Sequence, residues 1–524
     1  MSTTPPEVRA KAPLPVPTIS KVTGWDLLTV GGLVLYLCLG LAYLVLGQPN
    51  ADEGWYLYAG RLALRGELPY RDFAYTQMPL LPYVYGVPQA LFGESVYLGR
   101  ATSLLFSTGA AGLGALMARR YAGPPAGAAA AVVAGAFTYG IYHGTIVKTY
   151  ALVSFLFVLT LYTLSLRLRD EIKYPLATAF ALAATLVRLS AAAFAAPVAA
   201  YALFLGGTGA RTRAGVALVC ALAAGLAGAF LLADPHAASW NLVTHHTGQW
   251  GGASLVWRLR TVVEGRIPAS SSFFGPVLLL ALAAGYVGVR DRGVRSFLAS
   301  HGSLAAGAAG VLLFAAVHLA TGTFYQEYLV PAVVALIPVL VTVLGRLHAE
   351  ASAGAGRLVE GLLGALVAVL LLSHGTDHLD RTGGRLPLQE VRDVAAVVAA
   401  GTEPSDEVLA LEALWVVLEA DRRAAPGVTM SLFSYQDLDS DEALRLSVVN
   451  YDLLVAYVQS GAAGAIVLTD HDWEVLSRRG VYAREPQDPV ELRRALAERY
   501  ELALTYPRFG QWAGNAYVYL RRGR

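Results

Sequence analysis

Charge is what this chain most lacks. Asp, Glu, Lys and Arg make up 15% of its 524 residues, against about a quarter in a typical soluble domain, while 55% are hydrophobic. That balance excludes an ordinary soluble globular protein. Cysteine is also scarce. Cys38 and Cys220 are the two present, both inside apolar runs, so there is neither a disulfide framework nor a cysteine-based metal spacing. The formal net charge is +2, and no basic patch interleaved with aromatics occurs, which leaves no footprint for nucleic acid. A G-x-G-x-x-G, a P-loop, a G-x-S-x-G and any repeat of about 20–50 residues are all missing.

What is present is a series of apolar runs separated by short polar breaks. They predict a polytopic α-helical membrane protein with about eleven spans, near 26–47, 94–117, 124–142, 146–166, 174–189, 191–206, 214–232, 272–289, 302–320, 327–345 and 358–373. The breaks at Arg119–Arg120, Arg167–Lys173, Arg211–Arg213, Arg290–Arg295 and Arg346–Arg357 carry the basic residues. All fall on one side, together with Arg9, Lys11 and Lys21, if the spans alternate. Lys and Arg mark the cytoplasmic face, so the N-terminus is expected inside a plasma membrane and the 48–93 loop outside. Residues 1–24 read as a disordered cytosolic segment and 25–373 as the membrane domain. No small-residue cleavage site follows the first run, which reads as a retained anchor.

Beyond about residue 374 the character changes. Charged residues become frequent and apolar stretches shorten. Val408–Leu411, Ala465–Thr469, Tyr500–Thr505 and Ala516–Leu520 predict strands, and Leu388–Ala400, Ala443–Gln459, Trp473–Arg479 and Pro489–Glu498 predict helices. This alternation predicts an α/β domain over 374–524, on the extracytoplasmic side by the same alternation of spans.

The residues with chemistry gather where the membrane should meet water. Asp52 and Glu53 directly follow the first span, ahead of an amphipathic stretch from Trp55 to Leu64. As paired carboxylates they suit a general base or a metal ligand. A helix cap and a dipole partner are the plainer alternative. The stretch Leu68-Pro-Tyr-Arg-Asp-Phe-Ala-Tyr-Thr-Gln-Met-Pro-Leu-Leu-Pro-Tyr83 is dense in Pro and Tyr. It offers Asp72, Tyr75 and Gln77 as substrate-groove residues, or an interfacial aromatic belt, and Asp72 is either a second acidic ligand or a partner of Arg71. Lys148 and Arg188 are cations at the edges of apolar runs. Such charges are costly in a bilayer and usually face a cavity or a partner, and both could hold a phosphate. Tyr325 and Glu327 open a late span at the same interface. His236, His245, His246 and Glu264 lie in the 234–271 loop without ligand spacing, beside Arg258, Arg260 and Arg266.

The Asp52–Glu53 pair after the first span, the Tyr/Pro loop from Tyr75 to Tyr83, and Phe324-Tyr-Gln-Glu-Tyr-Leu-Val-Pro331 opening a late span together resemble the GT-C superfamily. Within it they resemble the branch of protein O-mannosyltransferases and bacterial aminoarabinose transferases. The resemblance covers 24–373 in layout, and only the first loop carries a specific motif. It implies a membrane glycosyltransferase that moves a sugar from a polyprenyl-phosphate-linked carrier to a lipid, glycan or protein acceptor on the extracytoplasmic face. Asp52 matches the position of the base or of a divalent-cation ligand, and Glu53 its neighbour. Arg188 matches a cation that relatives place between two short spans. The chain departs from the pattern at Met78, where relatives often have Lys, at Leu80, and at Lys148, near where they often have an acid. Two rival readings stand beside this one: a transporter or lipid flippase, and a non-catalytic membrane interaction protein.

Overall fold

A computed structural model describes residues 22–248, 299–320, 325–350 and 386–523, with isolated positions at 296, 361, 364 and 367. The expected spans 272–289 and 358–373, with Glu264, Arg258, Arg260 and Arg266, lie outside the described residues.

The first helix, α1, runs Gly24–Leu46. Thr23 and Asp26 form a reciprocal capping box at its start, which satisfies amides that a helix leaves free at its N-terminus. Gly47 ends it in extended conformation. After three further residues α2 begins, Ala51–Leu64, capped by Asn50. A turn-rich loop then leads to α3, Leu80–Phe92, and to α4, Val96–Ala122. The bundle continues with α5 Pro124–Ala136, α6 Thr138–His143, α7 Thr149–Ser165, α8 Asp170–Val187, α9 Ala192–Ala200 and α10 Ala210–Leu231. Gly302–Ala320 and Val330–Glu350 follow.

Among the described residues five helices are long and apolar enough to cross a bilayer: Gly24–Leu46, Val96–Ala122, Ala210–Leu231, Gly302–Ala320 and Gln326–Ala349. Shorter apolar helices pack among them. The chain is a multi-pass membrane protein. Small residues let the helices approach closely. A methyl on Gly32 of α1 would stand 2.6 Å from the Ala131 carbonyl carbon of α5, and one on Gly135 would stand 2.5 Å from the Gly32 oxygen.

Two expected helices are interrupted. The span expected at 124–142 divides at Phe137, whose backbone leaves the helical region (φ −80°, ψ 69°). Its ring lies over Gly140, where a Cβ would stand 2.2 Å from the ring. The helix expected at 443–459 divides into Ser440–Arg445 and Tyr451–Ser460. Asn450 caps the second piece through the Leu453 amide at 2.9 Å, after Ser447 has taken a left-handed turn (φ 55°).

The C-terminal domain carries a five-stranded mixed sheet in the order β2-β1-β3-β5-β4. Its strands are β1 Glu407–Ala410, β2 Arg423–Ala424, β3 Ala463–Thr469, β4 Tyr500–Phe509 and β5 Gly514–Arg521. β1 pairs parallel with β2 and β3, and β5 pairs antiparallel with β3 and β4. Every residue of β3 is buried, as expected of a central strand covered on both faces.

The domain sits directly on the first loop. Its helix Leu414–Glu419 packs against α2 so closely that a Cβ on Gly54 would lie 2.5 Å from the Trp415 nitrogen. Arg61 of α2 donates to the carbonyls of Leu418, at 3.2 Å, and Arg422, and pairs with Glu94. Glu419 accepts the Val96 amide at 2.8 Å and the Ser95 hydroxyl at 3.1 Å. The domain therefore supplies a carboxylate to the N-terminus of α4, where the helix dipole favours negative charge.

Candidate functional site

The site is built where α2, α7, the end of α8 and the start of Val330–Glu350 converge. Asn50 caps α2 by accepting the Asp52 amide at 3.2 Å, which places Asp52 on the first turn. The Asp52 carboxylate is only partly buried. One of its oxygens, Oδ1, accepts from the Trp55 indole N–H at 3.2 Å, and the other, Oδ2, lies 2.8 Å from Lys148 Nζ. Lys148 stands immediately before α7 and is 7% exposed. Its ammonium also lies 3.8 Å from Glu327 Oε1. One buried cation thus joins two carboxylates far apart in the chain.

Arg188 ends α8 in extended backbone and is 8% exposed. Its Nη1 donates to the Thr149 hydroxyl at 3.0 Å, and its Nε to the Ser190 hydroxyl at 3.2 Å. The guanidinium lies over the Tyr328 ring, 4.5 Å from the centroid, and 5.7 Å from that of Tyr150. Among the described residues no carboxylate lies within ion-pair distance of it. A buried charge without a counter-charge is costly. Hydroxyls and ring faces orient the group and leave its positive charge available to an anion.

Asp52, Lys148, Arg188 and Glu327 are therefore brought together, with Tyr56, Tyr150 and Tyr328 within their electrostatic reach. Tyr325 stands beside them, half exposed and edge-on to Tyr328 at 5.4 Å.

The other expected site residues are placed differently. Glu53 is 1% exposed, and both its oxygens lie 2.9 Å from Arg100 Nε of α4. Arg100 also donates to the carbonyls of Gly47 and Gln48, at 3.0 and 3.1 Å. Glu53 is thus clasped in a buried ion pair that ties the α1–α2 connection to α4. Asp72 is a partner of Arg71 at 2.7 Å, whose hydrogen bonds hold its carboxyl below the ordinary value. It lines a separate cleft of about 480 Å³ between the first loop and the C-terminal domain, shared with Arg65, Glu67 and Glu407. Tyr75 is fully buried among Trp55, Tyr56 and Phe73, and its hydroxyl has no hydrogen-bond partner among the described residues. The Gln77 carbonyl accepts from Tyr70 at 2.7 Å.

Among the described residues the histidines do not form a metal cluster. His236 pairs with Glu442 at 2.6 Å. His245 is enclosed by Trp240, Phe433 and Tyr482, and burial pushes its pKa down to about 3. His246 faces the Thr76 carbonyl at 2.9 Å. Among the described residues no group of three or more His, Cys, Asp or Glu side chains could hold a metal ion. A divalent cation bridging Asp52 and Glu327 would need the place that the Lys148 ammonium fills, so the residues here do not fit one.

Arg100, Thr149, Ser190 and Tyr328 were not singled out from the sequence. Arg100 carried a readable signal, being a charge within an apolar run. The others become significant only through what they touch.

With this geometry in view, solved structures of known proteins are similar over nearly the whole chain. ArnT from Cupriavidus metallidurans matches in its apo state and bound to undecaprenyl phosphate. Each match has a TM-score of 0.59 and 14% identity, and covers 94% of this chain and 98% of ArnT. The fold is that of the GT-C glycosyltransferases. The oligosaccharyltransferase of Archaeoglobus fulgidus, in a complex with Zn and sulfate, aligns less well, with a TM-score of 0.47 and 13% identity over 94% of this chain and 73% of that one. No known protein family matches by sequence, and no curated protein does. The GT-C layout expected from the first loop is thus borne out as a fold.

Proposed function

We propose that this protein is a membrane glycosyltransferase that uses a polyprenyl-phosphate-linked sugar. The observation that carries the reading is Arg188, a buried guanidinium held by Thr149, Ser190 and Tyr328 with no carboxylate partner among the described residues, close to the Asp52–Lys148–Glu327 cluster. The phosphate group of a prenyl phosphate ester supplies the missing negative charge. ArnT, whose fold the chain shares, was solved with undecaprenyl phosphate bound, a ligand of that chemistry.

In this reading the carrier phosphate lies against Arg188, with Lys148 at its edge. The anomeric carbon is thereby presented to Asp52. An acceptor hydroxyl gives its proton to the Asp52 carboxylate while its oxygen attacks the anomeric carbon from the side opposite the phosphate. The bond from that carbon to the phosphate oxygen breaks, and polyprenyl phosphate leaves with the electron pair. In-line attack inverts the anomeric configuration. Arg188 and Lys148 face the negative charge that grows on the leaving phosphate, where fixed cations in a dry site lower the barrier most. Holding the reactants in register supplies a further large part of the rate. Lys148 orients Asp52, and Glu327 steadies Lys148. Glu53 acts as a positioning residue through Arg100. The site faces the extracytoplasmic side in this account, as the distribution of basic residues predicts.

Binding of undecaprenyl phosphate to the purified protein tests the reading, by native mass spectrometry on the wild type and Arg188→Ala. The wild type should retain the lipid, and the variant should lose at least about tenfold in affinity, as removal of one charge-assisted contact predicts. Equal retention by both would remove Arg188 from the phosphate site.

A further inference from the structure

The helix that carries Asp52 does not begin by itself. Its first free amide, that of Ala51, is accepted at 2.9 Å by the side-chain oxygen of Gln511, 460 residues away. The neighbouring Gln48 side chain donates to the Gln511 carbonyl. Gln511 lies in the turn between β4 and β5, where Gly510 and Ala513 adopt left-handed backbone (φ 72° and 53°). That turn is anchored in the C-terminal domain. The Gln511 amide hydrogen-bonds the buried Glu412 carboxyl, which also accepts from the Thr469 hydroxyl at 2.6 Å. The Glu412 amide donates to Asp472 at 2.9 Å. One turn further along α2, Gly54 touches the Trp415 backbone, and Trp415 stacks on Phe509 at the end of β4. The domain therefore holds α2 at Ala51 and at Gly54, and Asp52 lies between the two grips.

We infer that Gln511 is a positioning residue for Asp52, so that the C-terminal domain completes the active site. The inference rests on the proposed role of Asp52 as base. The chemistry asks for an acceptor at this point: the opening amides of a helix have no intrahelical partner, and Asn50 serves those of Asp52, through its side chain, and Glu53, through its carbonyl, but not that of Ala51. Gln511 fixes both the height and the rotation of the first turn. Arg188, at the end of α8, is held by Thr149 and Ser190 and has no hydrogen bond to α2 among the described residues, so a shift of α2 changes the Asp52-to-phosphate geometry while the main phosphate contact stays in place. Displacements of about 1 Å in such arrangements cost about a hundredfold in rate.

The test uses full-length protein in nanodiscs and compares wild type with Gln511→Leu, which removes the acceptor, and Gln511→Glu, which retains one of equal reach. Turnover of a polyprenyl-phosphate sugar and amide hydrogen exchange over residues 50–64 are both measured. Gln511→Leu should lower kcat by about tenfold or more, leave KM for the lipid-linked sugar unchanged, and speed exchange at Ala51–Gly54. Gln511→Glu should restore both. A kcat unchanged per folded molecule in Gln511→Leu would overturn the inference, even with a lowered melting temperature. If the wild type turns over no polyprenyl-phosphate sugar, the function reading fails and the positioning role fails with it. The exchange measurement then still decides the contact: unaltered exchange in Gln511→Leu would show that Gln511 does not hold the helix.

Discussion

The Lys148 ammonium and the Asp52 carboxylate meet at 2.8 Å, with Glu327 behind the lysine at 3.8 Å. This arrangement sets one positive charge between two negative ones at the point where the chain concentrates its polar groups. It does with a side chain what a bridging divalent cation would otherwise do.

A consequence concerns metal. Because Lys148 fills the space between the two acids, transfer by the wild type should be insensitive to EDTA. Lys148→Met removes the ammonium and leaves two facing carboxylates, oxygen ligands suited to a hard cation. The variant should lose transfer and gain Mn2+ binding, detectable by calorimetry. Chelator-sensitive wild-type activity would contradict this, as would the absence of any Mn2+ binding by the variant.

The Glu53–Arg100 pair predicts a different kind of loss. It is almost fully buried on both sides, so removing one partner leaves an uncompensated charge, at a cost of about 3–5 kcal/mol. Glu53→Leu should reduce the yield of folded protein and lower its melting temperature. Glu53→Leu combined with Arg100→Leu should recover part of that stability. An equally stable single variant would show that the pair does not anchor α2 to α4.

The buried acids of the C-terminal domain predict a pH dependence. Burial pushes the Glu412 carboxyl up, to about 8, with the Asp472 charge adding to the shift, and burial likewise raises Asp472, to about 7. A carboxyl raised in the folded state holds its proton there after the unfolded chain has released it. Its contribution is therefore intact below about pH 4, the ordinary carboxylate range, and is lost as pH rises toward these raised values. The melting temperature should fall by several degrees between pH 5 and pH 8.5. Glu412→Gln should flatten that profile, and parallel profiles would refute the assignment.

Much of this was legible in the sequence because it rests on local composition. Long apolar runs cross membranes wherever they occur, so α1, α4 and α10 fall close to their expected limits. The amphipathic stretch Trp55–Leu64 became most of α2. Lys148 and Arg188 stood out because charges are rare in apolar surroundings, and both lie in the cluster. What was not legible depends on partners distant in the chain. Nothing around Glu53 announces Arg100, so its carboxylate read as equal to that of Asp52, although the two point to different neighbours. Asp72 read as a groove residue or a partner of Arg71, and the structure pairs it with Arg71 at a separate cleft. The run Leu414–Leu418 was not foreseen as a helix, because an uninterrupted apolar stretch has no period to read. The two-residue strand β2 is too short to leave a pattern. Gln511 carries no signal, since a glutamine in a turn is ordinary until the amide it meets is known.

The most direct test of the account is turnover by wild type and Asp52→Asn, with radiolabelled polyprenyl-phosphate sugars and a membrane extract as the source of acceptor. Carrier binding is measured alongside. The wild type should transfer label from at least one sugar carrier. Asp52→Asn should bind that carrier equally well yet lose about 10²–10⁴-fold in rate, the range for removal of a positioned base. Full turnover by Asp52→Asn, or movement of the intact carrier across the membrane without any transfer, would contradict it.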